Sequence, residues 1–160
     1  MAEIAVINSS PLIFFSRSAH LEILRRFADH AVVPQAVADE ILHRGPSDPT
    51  VNLITTATWV EIVAVGQISP EVAEWGLGAG ESAVLALAKA RNWEAVIDDL
   101  AGRRCAACLG IPVRGTLGIV LAAKQRGAIP SARAIMEDLL RAGLYLSRPV
   151  LDAALKRVGE

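Results

Sequence analysis

Two adjacent aspartates, Asp98 and Asp99, end the apolar run at residues 95–97. Neighbouring like charges repel each other unless a positive group lies between them. A hard divalent cation such as Mg²⁺ or Mn²⁺ takes oxygen ligands, so a cluster of carboxylates is typical of a site that holds one. The pair also has a simpler interpretation, because one aspartate can cap the following helix while the other lies favourably in its first turn.

Three other side chains offer the same oxygen chemistry, and each has an ordinary alternative. Glu81 opens a helix at "GAGE", whose glycines let backbone come close, but any acid is favourable in a first helical turn. Glu40 and Asp39 flank the apolar face of their helix on opposite sides, and the helical wheel cannot choose between them. Asn8 follows the first apolar run and could simply be a turn residue.

Short apolar runs that alternate with helices must position these side chains. Strands are predicted at "EIAVIN", "AVVP", "VEIVAV", "EAVI" and "IPVRG". Helices are predicted between and after them, including "PQAVADEILHRG", which should begin on Pro34 and end at Gly45. This alternation predicts parallel βαβ units in a three-layer α/β/α fold with a central, mostly parallel sheet. We expect a single domain at residues 1–160, with the C-terminal helices at 131–160 packed on it.

Ligands of such sheets bind beyond the carboxyl ends of the strands. Three predicted strands end in polar residues there. They end at Asn8, Ser9 and Ser10, at Asp98 and Asp99, and at Gly115 and Thr116. If these strands are neighbours, all three ends share one edge, and Glu40 and Glu81 can reach it from their helices. The sequence therefore predicts a carboxylate-lined metal site at this edge.

Composition limits the classes of function. The chain has 160 residues, is 52% hydrophobic and has a net charge of −1, which is typical of a well-packed globular domain. Nucleic-acid binding would need a local basic patch, for which Arg103, Arg104 and Arg114 are the candidates. No apolar stretch is long enough for a membrane span, no signal peptide is evident, and two cysteines make no disulfide framework. We expect a cytoplasmic protein.

The remaining motifs favour structural roles. Cys105 and Cys108 have redox spacing, but they lie inside a predicted helix rather than at its N-terminus, where thiolates are stabilised. The three histidines lack zinc-ligand spacing, and no phosphate-binding loop or nucleophile elbow is present.

The last predicted helix, "SRPVLDAALKRV", carries an apolar stripe. The stripe either packs on its own domain or forms a homodimer or a groove for a partner helix. Its residues are Val150, Leu151, Ala154, Leu155 and Val158.

In order and spacing, these segments resemble the PIN domain, the metal-dependent ribonuclease fold that also occurs in VapC-like toxins of toxin–antitoxin pairs. The segments that carry the resemblance are "AVINSSPLI", "VADEIL", "GESAVLALA" and "AVIDDLAGRR". The closing segment from "IPVRGTLG" to "LYLS" is similar to an uncharacterised PIN-like subfamily that shares "GTLG". The resemblance covers essentially the whole chain.

The resemblance implies an endoribonuclease that uses Mg²⁺ or Mn²⁺, with an RNA substrate and an antitoxin protein as partner. It implies that Glu40, Glu81, Asp98 and Asp99 are catalytic metal ligands, with Asn8 as a neutral ligand. Asn8 stands where the family mostly has aspartate, and the missing charge should weaken metal binding and water activation.

The substrate-binding candidates are the polar and basic residues around this edge: Ser9, Ser10, Arg103, Arg104, Arg114 and Thr116. Two rival hypotheses remain. One is a non-catalytic RNA- or protein-binding module. The other is a thiol redox protein built on Cys105 and Cys108.

Overall fold

The computed structural model describes residues 2–160, so Met1, the first residue of the predicted domain, lies outside the described part. Apolar runs form the strands, which are β1 (Ala2–Ile7), β2 (Ala28–Pro34), β3 (Val60–Val63), β4 (Glu94–Val96) and β5 (Val113–Arg114). The first helices are α1 (Ser9–Arg17), α2 (Leu21–Phe27), α3 (Gln35–Leu42), α4 (Pro49–Thr56) and α5 (Pro70–Ala73). The later helices are α6 (Ala79–Arg91), α7 (Leu100–Cys108), α8 (Thr116–Gln125), α9 (Ala132–Arg141) and α10 (Arg148–Lys156).

The strands of residues 2–160 form one sheet in the order β3-β2-β1-β4-β5, and every neighbouring pair is parallel. Ala5, at the centre of the sheet, pairs with Ala31 on one side and with Glu94 on the other. Strands buried on both faces are continuously apolar, which explains why these runs lack polar alternation. The predicted three-layer α/β/α class is confirmed. The strand order reverses between β1 and β4, and ligands bind at the carboxyl ends beside such a reversal.

The start of α3 and the start of β2 differ from the prediction. Pro34 was predicted to begin a helix, but it is the last residue of β2, with extended backbone, and α3 begins at Gln35. The strand β2 also begins earlier than the run "AVVP", because its polar start pairs with β1, including His30 with Ile4. Backbone hydrogen bonding to a neighbouring strand extended β2 over residues that have no apolar pattern.

The C-terminal helices contribute to the main core. Met136 and Leu139 of α9 and Leu151 and Leu155 of α10 are completely buried in the same cluster as the sheet. The centre of the apolar stripe on α10 therefore packs on its own chain, which is the first of its two interpretations. Val150, at the edge of the stripe, stays 50% exposed.

Among residues 2–160, no helix combines the length and the apolar character that crossing a bilayer would require.

Candidate functional site

A first cluster of polar side chains lies just beyond β1. Asn8 is only 2% exposed. Its Nδ2 donates a hydrogen bond to Glu81 Oε1 at 3.1 Å. The hydroxyl of Ser9 donates to Glu40 Oε2, also at 3.1 Å. The residues at the start of α1 therefore lie close to one side chain from α3 and one from α6.

Asn8 Oδ1 is the unusual atom of this cluster, because it is buried and has no hydrogen-bond partner within residues 2–160. Leaving a buried amide oxygen unpaired costs roughly 1–3 kcal/mol. Such an atom calls for an explanation, and a bound ion is among the ordinary ones.

Two glycines make room for the glutamates. A β-carbon on Gly80 would lie 2.8 Å from Glu40 Oε1 and 3.3 Å from Asn8 Oδ1. A β-carbon on Gly78 would lie 2.5 Å from Glu81 Oε2. Real β-carbons essentially never approach oxygen below 3.0 Å, so the "GAG" segment provides a cradle that only glycine leaves open. We define the cradle as the space beside Gly80 that Asn8 Oδ1 and Glu40 Oε1 share.

The fold also distinguishes between the two acids of α3. Glu40 contacts Ser9 and the cradle, whereas Asp39 accepts a hydrogen bond from Gln35 Nε2 on its own helix, at 2.9 Å. The helical wheel alone could not choose between Glu40 and Asp39, because it places both at the edge of the apolar face, and only the family resemblance selected Glu40.

A second cluster lies beyond β4, around Asp98. Thr116 holds this carboxylate at both oxygens: its backbone N–H donates to Oδ1 and its hydroxyl donates to Oδ2, each at 2.7 Å. A β-carbon on Gly115 would lie 3.1 Å from Asp98 Oδ1 and 3.6 Å from Arg103 Nη1, so Arg103 is close to the same carboxylate. Burial raises the pKa of Asp98 above its ordinary value, although the hydrogen bonds from Thr116 and the charge of Arg103 oppose that rise.

Asp99 has a different structural role from Asp98. It is the N-cap of α7, and its Oδ2 accepts a hydrogen bond from the backbone N–H of Gly102 at 2.8 Å. The two aspartates therefore diverge, one toward Thr116 and one toward its own helix. The capping interpretation of the sequence applies to Asp99, and Asp98 is the one that faces the edge of the sheet.

The remaining predicted residues are distributed around the two clusters. Ser10 lies half-buried in the first turn of α1, and Arg104 is exposed on α7. Arg114 Nε donates to Glu94 Oε1 at 3.0 Å, and its guanidinium lies over the ring of Phe27, 5.3 Å from the centroid. These contacts neutralise Arg114 more than Arg103.

The residues of the cradle fit a hard divalent cation. The donors are carboxylate, amide and hydroxyl oxygens, which are the ligands that Mg²⁺ and Mn²⁺ prefer. The unpaired Oδ1 of Asn8 and the nearby Oε1 of Glu40 are the observations that support the fit. Within residues 2–160, however, no three His, Cys, Asp or Glu side chains are grouped so that they could hold a metal ion. Hydrogen-bond donors hold each carboxylate separately, as expected of like charges that repel. The full ligand set stays a prediction.

We expect Asp98→Asn to stabilise the protein in the presence of a chelator at pH 7. Because burial raises the folded-state pKa of Asp98, its ionised form costs stability once the pH exceeds the unfolded pKa, and fully so above the folded pKa. Asparagine keeps the acceptor for Thr116 N–H and removes the buried charge. The melting temperature should rise by about 2–4 °C, and the gain should shrink as the pH falls through the folded pKa. Thermal melts from pH 4 to 8 measure this, and a variant that melts lower than the parent at pH 7 would contradict it.

Only one of the two cysteines, Cys105, lies where packing explains it. Cys105 is buried and Cys108 is exposed, and both are free. Burial, and to a smaller extent Cys108, raises the pKa of the Cys105 thiol. A raised pKa disfavours the reactive thiolate, so the redox hypothesis has no support from this site.

Comparison with known proteins bears on the whole chain. The domain family DUF3368, described as a PIN domain, matches residues 4–160. No curated protein matches the sequence significantly. Among solved structures, the chain is similar to one in the crystal structure of VapBC2 from Rickettsia felis bound to a DNA fragment from their promoter. That similarity has 14% sequence identity and a TM-score of 0.46, and it covers 70% of this chain and 98% of the other. The family match includes both clusters described above.

Proposed function

Because this chain belongs to the PIN-domain family, we propose that it is a metal-dependent endoribonuclease and the toxin component of a toxin–antitoxin pair. The observation that carries the proposal is the unpaired, buried Oδ1 of Asn8 beside Glu40 and Glu81, at the carboxyl ends of a parallel sheet. Sites of α/β proteins lie at this edge, and a bound ligand is one ordinary explanation of an unpaired buried polar atom.

In this proposal, Glu40, Glu81, Asp98 and Asp99 are the acidic ligands of Mg²⁺ or Mn²⁺, and Asn8 is a neutral ligand. The bound ion supplies a water of lowered pKa and stabilises charge on the phosphate and the leaving oxygen. The glycines of the "GAG" segment keep the space open.

The surrounding residues orient the substrate and the carboxylates. Ser9 steadies Glu40 through its hydroxyl, and Thr116 steadies Asp98 through two hydrogen bonds. Fixing ligand carboxylates in this way is what outer hydrogen bonds do in metal sites. Arg103, which is close to Asp98, and Arg104 are exposed on α7 and are suited to hold phosphate oxygens, with Ser10 and Arg114 at the margin.

Asn8 favours a second candidate, a catalytically weak or inactive RNA- or protein-binding module. An amide oxygen coordinates a cation but contributes no charge, so the metal would bind less tightly than with aspartate. The two candidates share the cluster and differ in whether a water is activated there.

A cleavage assay separates them. The purified protein, incubated with a labelled single-stranded RNA, should cleave it with Mn²⁺ and not with EDTA. The control is a Glu40→Gln/Glu81→Gln variant purified in parallel, because any activity it keeps comes from contaminating nucleases. Equal cleavage by parent and control would reject the nuclease and leave the binding module.

The proposal also covers the proteins with which this chain associates. We propose that an antitoxin protein neutralises the chain in the cytoplasm and that the chain forms a homodimer. Sedimentation at micromolar concentration measures the dimer, and a monomer would reject it.

A further inference from the structure

A groove runs away from Asp98 along the outer side of β5. It has a volume of about 880 Å³ and lies between β5, α8, α10 and the segment that joins α9 to α10. Asp98 and Arg103 line it together with Tyr145 and Arg157. The volume is within the range of roughly 300–1,000 Å³ that small-ligand sites occupy. The groove is therefore continuous with the candidate site and large enough for a nucleotide-sized group.

Tyr145 is the unusual residue of this groove. It is the only tyrosine of the chain, and it is 92% exposed. Its neighbours Leu144 and Leu146 are half-buried against the core, so the segment alternates and directs the Tyr145 ring outward. The backbone just before Tyr145 is held by a hydrogen bond, which Leu144 N–H donates to Leu139 O at 3.1 Å. A fixed backbone that presents an unburied aromatic ring is suited to stack with a planar partner.

The charge of the groove indicates what that partner is. Three arginines line it, Arg103, Arg114 and Arg157, against the single acid Asp98. Arg114 is paired with Glu94, whereas Arg103 and Arg157 form no salt bridge with any described residue. Guanidinium groups without a salt bridge, in a groove that also presents an exposed aromatic ring, are typical of grooves that track single-stranded nucleic acid, with phosphates on the arginines and a base on the ring.

We propose that this groove binds a single-stranded segment of RNA next to the candidate site, with one base stacked on Tyr145 and phosphates held by Arg103 and Arg157. The inference rests on the proposed function and adds to it the path of the RNA strand and the side chain on which a base stacks. A duplex keeps its bases stacked inside the helix and offers none to Tyr145. Tyr145 is thus a substrate-binding residue that selects single strands.

The test measures binding in chelator, where metal-dependent cleavage does not occur. The probe is a fluorescein-labelled, mixed-sequence, single-stranded RNA of 12 nucleotides or the matching duplex, and the readout is fluorescence anisotropy. The parent should bind the single strand more tightly than the duplex. Tyr145→Ala should weaken single-strand binding by roughly tenfold, Tyr145→Leu should do the same, and Tyr145→Phe should retain parental affinity because the ring remains.

A matched pair of basic variants tests the phosphate contacts. Arg157→Ala should weaken binding at low salt and lower the slope of log affinity against log salt by about 1. Arg126→Ala removes an equally exposed arginine at the other end of α8 and should leave the affinity and the slope unchanged. Melting temperatures should not change, since Tyr145 and Arg157 are exposed.

The outcomes separate this inference from the proposed function. If the Tyr145 variants bind RNA like the parent, the inference is overturned, and the groove is assigned to a protein segment instead. If the parent binds neither RNA form, the inference is also overturned. If the Tyr145 series behaves as expected but the parent cleaves no RNA with Mn²⁺, the nuclease proposal alone fails.

Discussion

Gly80→Ala is expected to reduce metal-dependent RNA cleavage by about 100-fold while leaving the protein folded. The new β-carbon would lie 2.8 Å from Glu40 Oε1, so the flexible end of Glu40 must swing out of the cradle. The backbone does not oppose the change, because Gly80 lies in the first turn of α6, where alanine is the better helix former by up to about 1 kcal/mol. Displacing a metal ligand or its support typically costs 10- to 100-fold in affinity or activity.

The measurements are a cleavage assay with Mn²⁺, a titration of Mn²⁺ binding and a thermal melt. Gly66→Ala is the matched control, because a β-carbon there meets no atom within 4 Å. The control should cleave and bind Mn²⁺ like the parent. If Gly80→Ala retains full cleavage, the cradle beside Glu40 is not where the metal binds.

Asn8→Asp is expected to strengthen Mn²⁺ binding by about tenfold or more and to destabilise the protein when no metal is present. In the parent, Asn8 Nδ2 donates to Glu81 Oε1, and aspartate would replace that donor with a carboxylate oxygen that repels Glu81. Without metal, the buried Asn8 position would then hold an unpaired charge, which is costly. With Mn²⁺, the added charge attracts the ion at short range, so the stability should recover and cleavage should rise.

Two melting curves, in EDTA and in Mn²⁺, measure this prediction. Asn52→Asp adds the same charge on the exposed face of α4 and is the matched control, for which both curves should follow the parent. A response of Asn8→Asp that equals the parent in both conditions would mean that Asn8 is a turn residue and not a ligand. The interpretation of the cradle as a metal site would then lose Asn8 Oδ1, the atom on which it depends.

Much of the fold followed from local patterns. Continuous apolar runs indicated strands buried on both faces, and "GAGESAVLALAKARN" indicated the helix α6 that begins at Ala79. Parallel strands bring their carboxyl ends to one edge, so polar residues after β1, β4 and β5 were expected to meet there. The boundaries of β2 were less predictable, because pairing with neighbouring strands rather than local propensity decided them: its start pairs with β1, and Pro34 at its end pairs with Val63 of β3.

Part of the candidate site could likewise be predicted from the sequence, and part of it could not. The residue types and the strand ends predicted that Asn8, Glu81 and Asp98 belong to one edge. Only the tertiary structure determined that Glu40 rather than Asp39 faces Ser9, since Ser9 and Glu40 are 31 residues apart and no helical wheel contains that contact.

The division between Asp98 and Asp99 was decided by one distant partner and one local one. Thr116, 18 residues beyond Asp98, donates a hydrogen bond to the carboxylate of Asp98. The backbone N–H of Gly102, at the start of α7, donates one to the carboxylate of Asp99. The groove at Tyr145 left no signal in the sequence, because an exposed tyrosine in a connecting segment has no periodicity. Patterns in a sequence determine which surfaces of an element are buried, whereas the meeting of polar side chains from separate elements depends on distances that only packing sets.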